Sequence, residues 1–203
     1  MAGQVHARFP SDWLEGRGAR TATDLDLAVL LVNTLDLLAN PPDRLTNVDW
    51  FSSALAQVGH ESIASELTPA DLPRLRDLRG ALRSAFEAGS AAHAAEILNP
   101  RLEAARAVFM LVVEQSGRRE GQAENVRFDV GVASTGMEAL EARLPAAVAM
   151  HIARHGVDRL GTCGSDPCRC AFVDRTRAGI RRYCCSWCND RAAARAYRKR
   201  QRG

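Results

Sequence analysis

All six cysteines of the chain lie between Cys163 and Cys188. Four form two close pairs. Cys163 and Cys168 flank Gly-Ser-Asp-Pro, Cys184 and Cys188 flank Cys-Ser-Trp, and Arg169 to Tyr183 separate the pairs. This spacing suits a tetrahedral zinc ion, which takes two thiolates from each of two turns while the intervening chain loops back. Gly164, Asp166 and Pro167 are turn formers. The segment has few core residues (Phe172, Val173, Ile180, Tyr183), so one zinc per chain would supply much of its folding energy. Cys170 and Cys185 exceed the four ligands and read either as small packing residues or as redox-active or exchangeable thiols. His151 and His155, one helical turn apart, offer nitrogen ligands, but four thiolates already satisfy zinc.

The residues that follow carry charge. After Cys188 come Asn189-Asp190-Arg191, an alanine-rich stretch and Tyr197-Arg198-Lys199-Arg200-Gln201-Arg202. Asp190 is a good N-cap, and the alanines favour the helix that would follow it. On such a helix Arg191, Arg195, Arg198 and Arg202 share one face. With Arg181, Arg182 and Lys199 they are the candidate DNA contacts, Arg191 and Arg195 nearest the helix start being the candidates for base edges. The alternative reading of the stripe is a solvated charged face.

These residues must be positioned by the rest of a 203-residue chain that is 46% hydrophobic and 25% charged, a globular composition. Residues 151–203 hold 13 Lys+Arg and 4 Asp, whereas residues 1–150 hold 14 basic and 20 acidic residues. An acidic, cysteine-free body therefore precedes a basic, cysteine-rich tail, and the tail suggests a polyanionic partner. The longest apolar run, Ala107 to Val113, is too short to span a bilayer, and the first thirty residues lack a signal-peptide core. The expectation is a cytoplasmic protein with reduced thiols and no membrane partner.

In the body, the apolar stretch from Leu25 to Leu38, closed by Pro41 and Pro42, predicts a buried helix. Thr68-Pro69-Ala70-Asp71 predicts a helix start. Leu75, Leu78, Leu82 and Phe86 then mark an inward face opposite a wet, arginine-rich one. A further helix is expected from Ala91 to Leu98, closed by Asn99-Pro100. Val126, Phe128, Val130 and Val132 alternate with polar residues or glycine, and with the Val108–Val113 run they predict a hairpin whose loop spans Ser116 to Glu124. Gly136 to His155 predicts another helix. The fold class is α+β: a mainly helical N-terminal body with a small β-hairpin, and a small C-terminal four-cysteine zinc finger.

At this level the chain resembles the family of bacterial proteins with an N-terminal ABATE domain and a C-terminal CGNR zinc finger, described as stress-induced transcription regulators. The carrying residues are Cys163-x4-Cys168, Phe172-Val173-Asp174-Arg175-Thr176, Arg181-Arg182-Tyr183-Cys184 and Cys188-Asn189-Asp190-Arg191. Asn189 and Asp190 stand where the family tetrad has Gly and Asn. At the front, Leu31-Val32-Asn33-Thr34-Leu35 is similar to the segment that opens the ABATE domain. The resemblance implies an ABATE-like body over residues 1–157 and a finger over 158–203. It also implies a zinc-dependent DNA-binding tail and a body that senses a signal.

The body contains no nucleophile–base constellation, no glycine-rich phosphate loop and no metalloprotease motif, so an enzyme is not expected. Asn33 and Thr34, polar residues inside an apolar stretch, read either as hydrogen-bonded to nearby backbone or as contacts to a small-molecule effector. The body is also a candidate dimerisation unit. The function expected is a DNA-binding transcription regulator; the alternative is a zinc-stabilised protein- or RNA-interaction module. The body is expected to fold alone, with the tail projecting from it so that the acidic surface does not repel DNA.

Overall fold

The computed structural model describes residues 21–114, 125–131 and 135–202. The fold is α+β, a helical body with a small hairpin and a C-terminal four-cysteine cluster. Helix α1 (Asp24–Val32) lies at its centre and is buried on nearly every side, including Leu27, Ala28, Leu30, Leu31 and Val32. Thr23 caps it in a reciprocal box with Asp26: the Asp26 N–H donates to Thr23 Oγ1 at 3.2 Å, and the Thr23 N–H donates to Asp26 Oδ2 at 3.3 Å. The helix stops at Val32, earlier than the apolar pattern suggests. Beyond it Thr34 Oγ1 donates to the Leu31 carbonyl at 2.7 Å, and Asp36 Oδ1 accepts the Leu38 N–H at 3.0 Å. These local side-chain bonds offer the backbone an alternative to helix.

Helices α2 (Asp49–Gln57) and α3 (Glu61–Ala64) pack Phe51, Leu55 and Ile63 into the same core. Thr68 and Asp71 form a capping box on a short 3₁₀ turn, Pro69–Asp71, that leads into α4 (Leu72–Phe86). Leu75, Leu78, Leu82 and Phe86 are buried, as their spacing predicts. The arginine face of α4 departs from the expected wet surface. Arg79 pairs with Asp43 at 2.6 Å, Arg76 donates to the Leu45 carbonyl at 2.6 Å, and Arg83 donates to the Val32 carbonyl at 2.9 Å. Arg79 and Arg83 are half-buried and Arg76 exposed, and each spends its guanidinium on a segment that α4 must hold.

Helix α5 (Ala91–Ala104) runs through Pro100 rather than ending before it. Both Pro100 and Glu96, whose carbonyl loses its donor, are exposed to solvent, so the missing bond costs little burial. Strands β1 (Val108–Glu114) and β2 (Asn125–Gly131) pair antiparallel, the expected hairpin; the loop expected over Ser116 to Glu124 lies outside the described residues. Helix α6 (Gly136–His155) matches its predicted span and buries Leu140, Leu144 and Val148 against α1. It ends at Gly156, whose φ of 86° lets the chain turn away.

Two three-residue strands follow as an antiparallel pair, β3 (Leu160–Thr162) and β4 (Ala171–Val173), before the last helix, α7 (Ser186–Gln201). Leu160, Ala171 and Val173 belong to the main core, together with Leu27, Leu31 and Leu140. The tail therefore does not project as a whole. Its hairpin is seated in the body through these three apolar side chains, while residues 193–201 of α7 are exposed. Among the described residues, no helix is long and apolar enough to cross a membrane.

Candidate metal centre and basic helix

Strand β3 delivers Cys163, and the turn that follows returns Cys168 toward it. The Cys163 N–H donates to the Cys170 carbonyl at 2.9 Å, and the Cys168 N–H donates to the Ser165 carbonyl at 2.9 Å. The second pair comes from the start of α7. Cys185 is its N-cap, so Cys188 lies one turn into the helix and Cys184 just before it. The Gly164 N–H donates to the Arg182 carbonyl at 3.0 Å, which joins the two arms.

The four sulfurs Cys163, Cys168, Cys184 and Cys188 lie within 4.8 Å of one another. Cys184 Sγ is 3.7 Å from both Cys168 Sγ and Cys188 Sγ. A tetrahedron with zinc–sulfur bonds of about 2.3 Å has edges of about 3.8 Å, so the cage is already the size zinc requires. Cys163, Cys168 and Cys188 are buried and Cys184 is half-buried, a closed site of structural type. The thiols also compete for protons. Hydrogen bonds from Cys170 and Cys184 hold the Cys168 thiol well below its usual range, whereas bonding to Cys168 holds Cys184 above it. Burial raises Cys188. A divalent cation would resolve this competition by taking all four as thiolates.

The two surplus cysteines adjoin the cage. Cys170 is buried beside β4, and Cys185 Sγ lies 3.8 Å from Cys184 Sγ at the helix cap. Neither histidine joins the cluster. The His151 and His155 rings lie 4.8 Å apart between centroids with their planes tilted by 45°, and His151 Nε2 is buried without a hydrogen-bond partner among the described residues.

A buried carboxylate organises the loop between the cysteine pairs. Asp174 Oδ1 accepts the Thr176 N–H at 2.8 Å and its hydroxyl at 2.6 Å, while Asp174 Oδ2 accepts the Arg181 N–H at 2.8 Å. Burial works against the charge, but these donors outweigh it and hold Asp174 below the usual carboxylate range. The Phe172, Asp174, Thr176 and Arg181 motif is thus scaffolding for the cage.

The candidate DNA contacts divide into two groups. Arg181 stacks on Phe172 at 5.0 Å and donates to the Tyr183 and Cys184 carbonyls. Arg191 lies 4.8 Å over the Trp187 ring and donates to Ser165, both to its carbonyl and, at 3.0 Å, to its hydroxyl. Arg195 donates to the Asp166 carbonyl. These three hold the cysteine turns. Arg182, Arg198, Lys199 and Arg202 are exposed. Helix α7 begins at Ser186, not after Asp190, so Asn189 and Asp190 sit exposed in its opening turns instead of capping it. From Ala193 to Arg202 every residue is exposed, with five cations and no acid.

Contacts that sequence reading missed bind the finger to the body. Asn33 Nδ2 donates to the Ala171 carbonyl at 3.0 Å, and the Ala171 N–H donates to Asn33 Oδ1 at 2.7 Å. Thr34 Oγ1, besides its bond to Leu31, accepts from Arg79 at 3.1 Å. Both candidate effector contacts therefore spend their polar atoms inside the chain. Arg175 pairs with Asp26 at 2.8 Å, and Arg83 donates to the Arg169 carbonyl at 2.9 Å. No local pattern signals partners so far apart in sequence.

The model of the ABATE family, described as "putative stress-induced transcription regulator", matches residues 25–162. The chain belongs to the ABATE family. The CGNR zinc finger model matches residues 159–201, so the two matches meet within β3 and adjoin the cage. With four cysteines at metal-binding distance, this ABATE protein carries a zinc finger that binds one zinc ion. Neither family is an enzyme class. No curated protein gives a significant match to the chain.

Proposed function

We propose that this ABATE protein is a DNA-binding transcription regulator in which the zinc cage holds α7 and α7 grips DNA. The observation that carries the reading is the exposed half of α7. Nine consecutive exposed helical residues, Ala193 to Gln201, and the C-cap Arg202 carry Arg195, Arg198, Lys199, Arg200 and Arg202 with no acid. A helix polar on all sides and so charged lacks a reason to be ordered by the protein alone, and a phosphate backbone supplies one. Arg198, Lys199, Arg202 and Arg182 are the contacts to phosphate and base edges; Arg181, Arg191 and Arg195 set the angle at which α7 leaves the cage. Residues 1–157 act as the sensing or dimerising part and residues 158–203 as the finger.

A second reading, RNA or single-stranded nucleic acid, is favoured by Tyr197, which is 58% exposed on the same helix. Footprinting of the tagged chain across its genome, with Arg198→Glu/Arg202→Glu as control, tests the first reading. Discrete protected sites that vanish in the variant support it. Unchanged protection, or capture of RNA in place of duplex DNA, counts against it.

A further inference from the structure

The two thiols that a four-thiolate zinc site does not need are unequally placed. Cys170 is buried to 6% exposure among Cys163, Cys168 and Cys188. Cys185 is half-buried, and the two residues after it, Ser186 and Trp187, are exposed. A small solute in water therefore meets Cys185 before Cys170. The sulfurs of Cys185 and Cys188 both touch that of Cys184, at 3.8 Å and 3.7 Å, so one contact group contains two cage ligands and a thiol outside the cage.

The chain decides which of those ligands Cys185 can join. Cys184 is its immediate neighbour, and consecutive Cα atoms are about 3.8 Å apart, below the roughly 4.4–6.8 Å that a disulfide spans. Cys188 lies three residues on. Cys185 is the N-cap of α7 and Cys188 sits in its first turn, so the two are i, i+3 neighbours on one side of the helix. Cys185-Ser186-Trp187-Cys188 is a Cys-x-x-Cys segment, a spacing that closes readily to a disulfide.

We infer that Cys185 is a peroxide-reactive thiol that Cys188 resolves, so that oxidation withdraws from the cage the ligand that α7 carries. The Cys185 thiolate attacks one oxygen of hydrogen peroxide; the O–O bond breaks, a sulfenic acid forms and hydroxide leaves. The Cys188 thiolate then attacks the Cys185 sulfur and displaces its hydroxyl group as a second hydroxide. Both sulfurs are oxidised, the peroxide is reduced, and a dithiol reductant reverses the bridge. Three cage thiolates remain, on Cys163, Cys168 and Cys184, and none of them lies within α7. Loss of the grip on DNA under peroxide is the consequence, and that clause alone rests on the proposed function.

The test treats the full zinc-loaded chain with hydrogen peroxide in the absence of DNA, so its failure leaves the DNA-binding reading standing. A chromogenic chelator reads zinc release, and peptide mapping reads the disulfide. About one equivalent of zinc should leave the wild-type chain as a 185–188 bridge forms, and reduction with added zinc should restore both. Cys185→Ser should slow the release by about tenfold or more, whereas Cys170→Ser should release zinc as the wild type does. Cys185→Ala serves if Cys185→Ser is purified without zinc, and the map of the wild-type chain needs no variant. Equal release rates in wild type and the Cys185 variants, a map that joins other cysteines, or a 185–188 bridge that leaves zinc in place would overturn the inference.

Discussion

Asn33, which caps the C-terminal end of α1, holds the backbone of Ala171 in β4 through both of its amide atoms. The most buried helix of the body and the inner strand of the finger are thus joined as two strands of a sheet would be. Ala171 lies in the main core, so replacing Asn33 by alanine strands a buried N–H and a buried carbonyl. The expected cost is about 1–3 kcal/mol, read as a lower thermal midpoint, with zinc lost at lower chelator concentration than in the wild type. An unchanged midpoint would mean that the pair is replaceable by water.

Zinc removal should reach the body. Leu160 and Val173 are core residues flanking the cage, so the modules melt together instead of leaving a free-standing body. Chelator titration followed by calorimetry should lower the single transition by several degrees, at roughly 2–4 °C per kcal/mol for a chain of this size. A body transition that is indifferent to chelator would restore two independent modules.

The ligand set separates the six cysteines. Elemental analysis should find one zinc per wild-type chain, retention in Cys170→Ser and Cys185→Ser, and loss in Cys184→Ser. Full retention in the last variant would move the fourth ligand elsewhere.

Arginines of the two groups should fail differently. Arg191→Ala frees the Ser165 turn and uncovers Trp187, and it should loosen zinc by roughly tenfold or more. Arg198 is exposed and, among the described residues, makes no hydrogen bond or ion pair, so Arg198→Ala should leave zinc affinity and thermal midpoint unchanged. A chelator competition on both variants checks this directly.

His151 gives the body an acid limit. Burial, followed by the nearby charges of His155, Arg175 and Arg159, pushes its imidazole down to about 4. In the unfolded chain it titrates near about 6.5. The unfolded state therefore binds more protons between these values. The residue's contribution to stability is complete above about pH 6.5 and is lost as pH falls toward 4. Denaturant melts of wild type and His151→Phe at about pH 7 and about pH 5 should show a smaller loss for the variant. Parallel losses would remove His151 from the account.

Much of this was legible in order along the chain. The leucine spacing of α4, the span of α6 and the paired cysteines each depend on local pattern, and local pattern is what a sequence displays. The start of α7 was misplaced because Asp190 is the better cap by side-chain chemistry. The helix begins earlier because Cys184 and Cys188, spaced at i and i+4, must face one ion, which a turn of helix accomplishes. That spacing was the overlooked signal. The arginines of α4 and the hold of Asn33 on the finger were not legible, since their partners lie at Asp43, Leu45 and Ala171, far away in sequence.

The central claim is that a zinc-held basic helix binds duplex DNA through phosphate contacts, and a salt titration tests it most directly. Binding of the full zinc-loaded chain to duplex DNA should weaken with salt at a log–log slope of roughly −2.7 to −4.5, as for about three to five neutralised phosphates. Arg198→Ala should reduce the magnitude of that slope by about one while zinc content is unchanged. A slope near zero, or Arg198→Ala and Arg202→Ala variants that bind as tightly as the wild type at low salt, would contradict the claim and leave α7 a solvated helix.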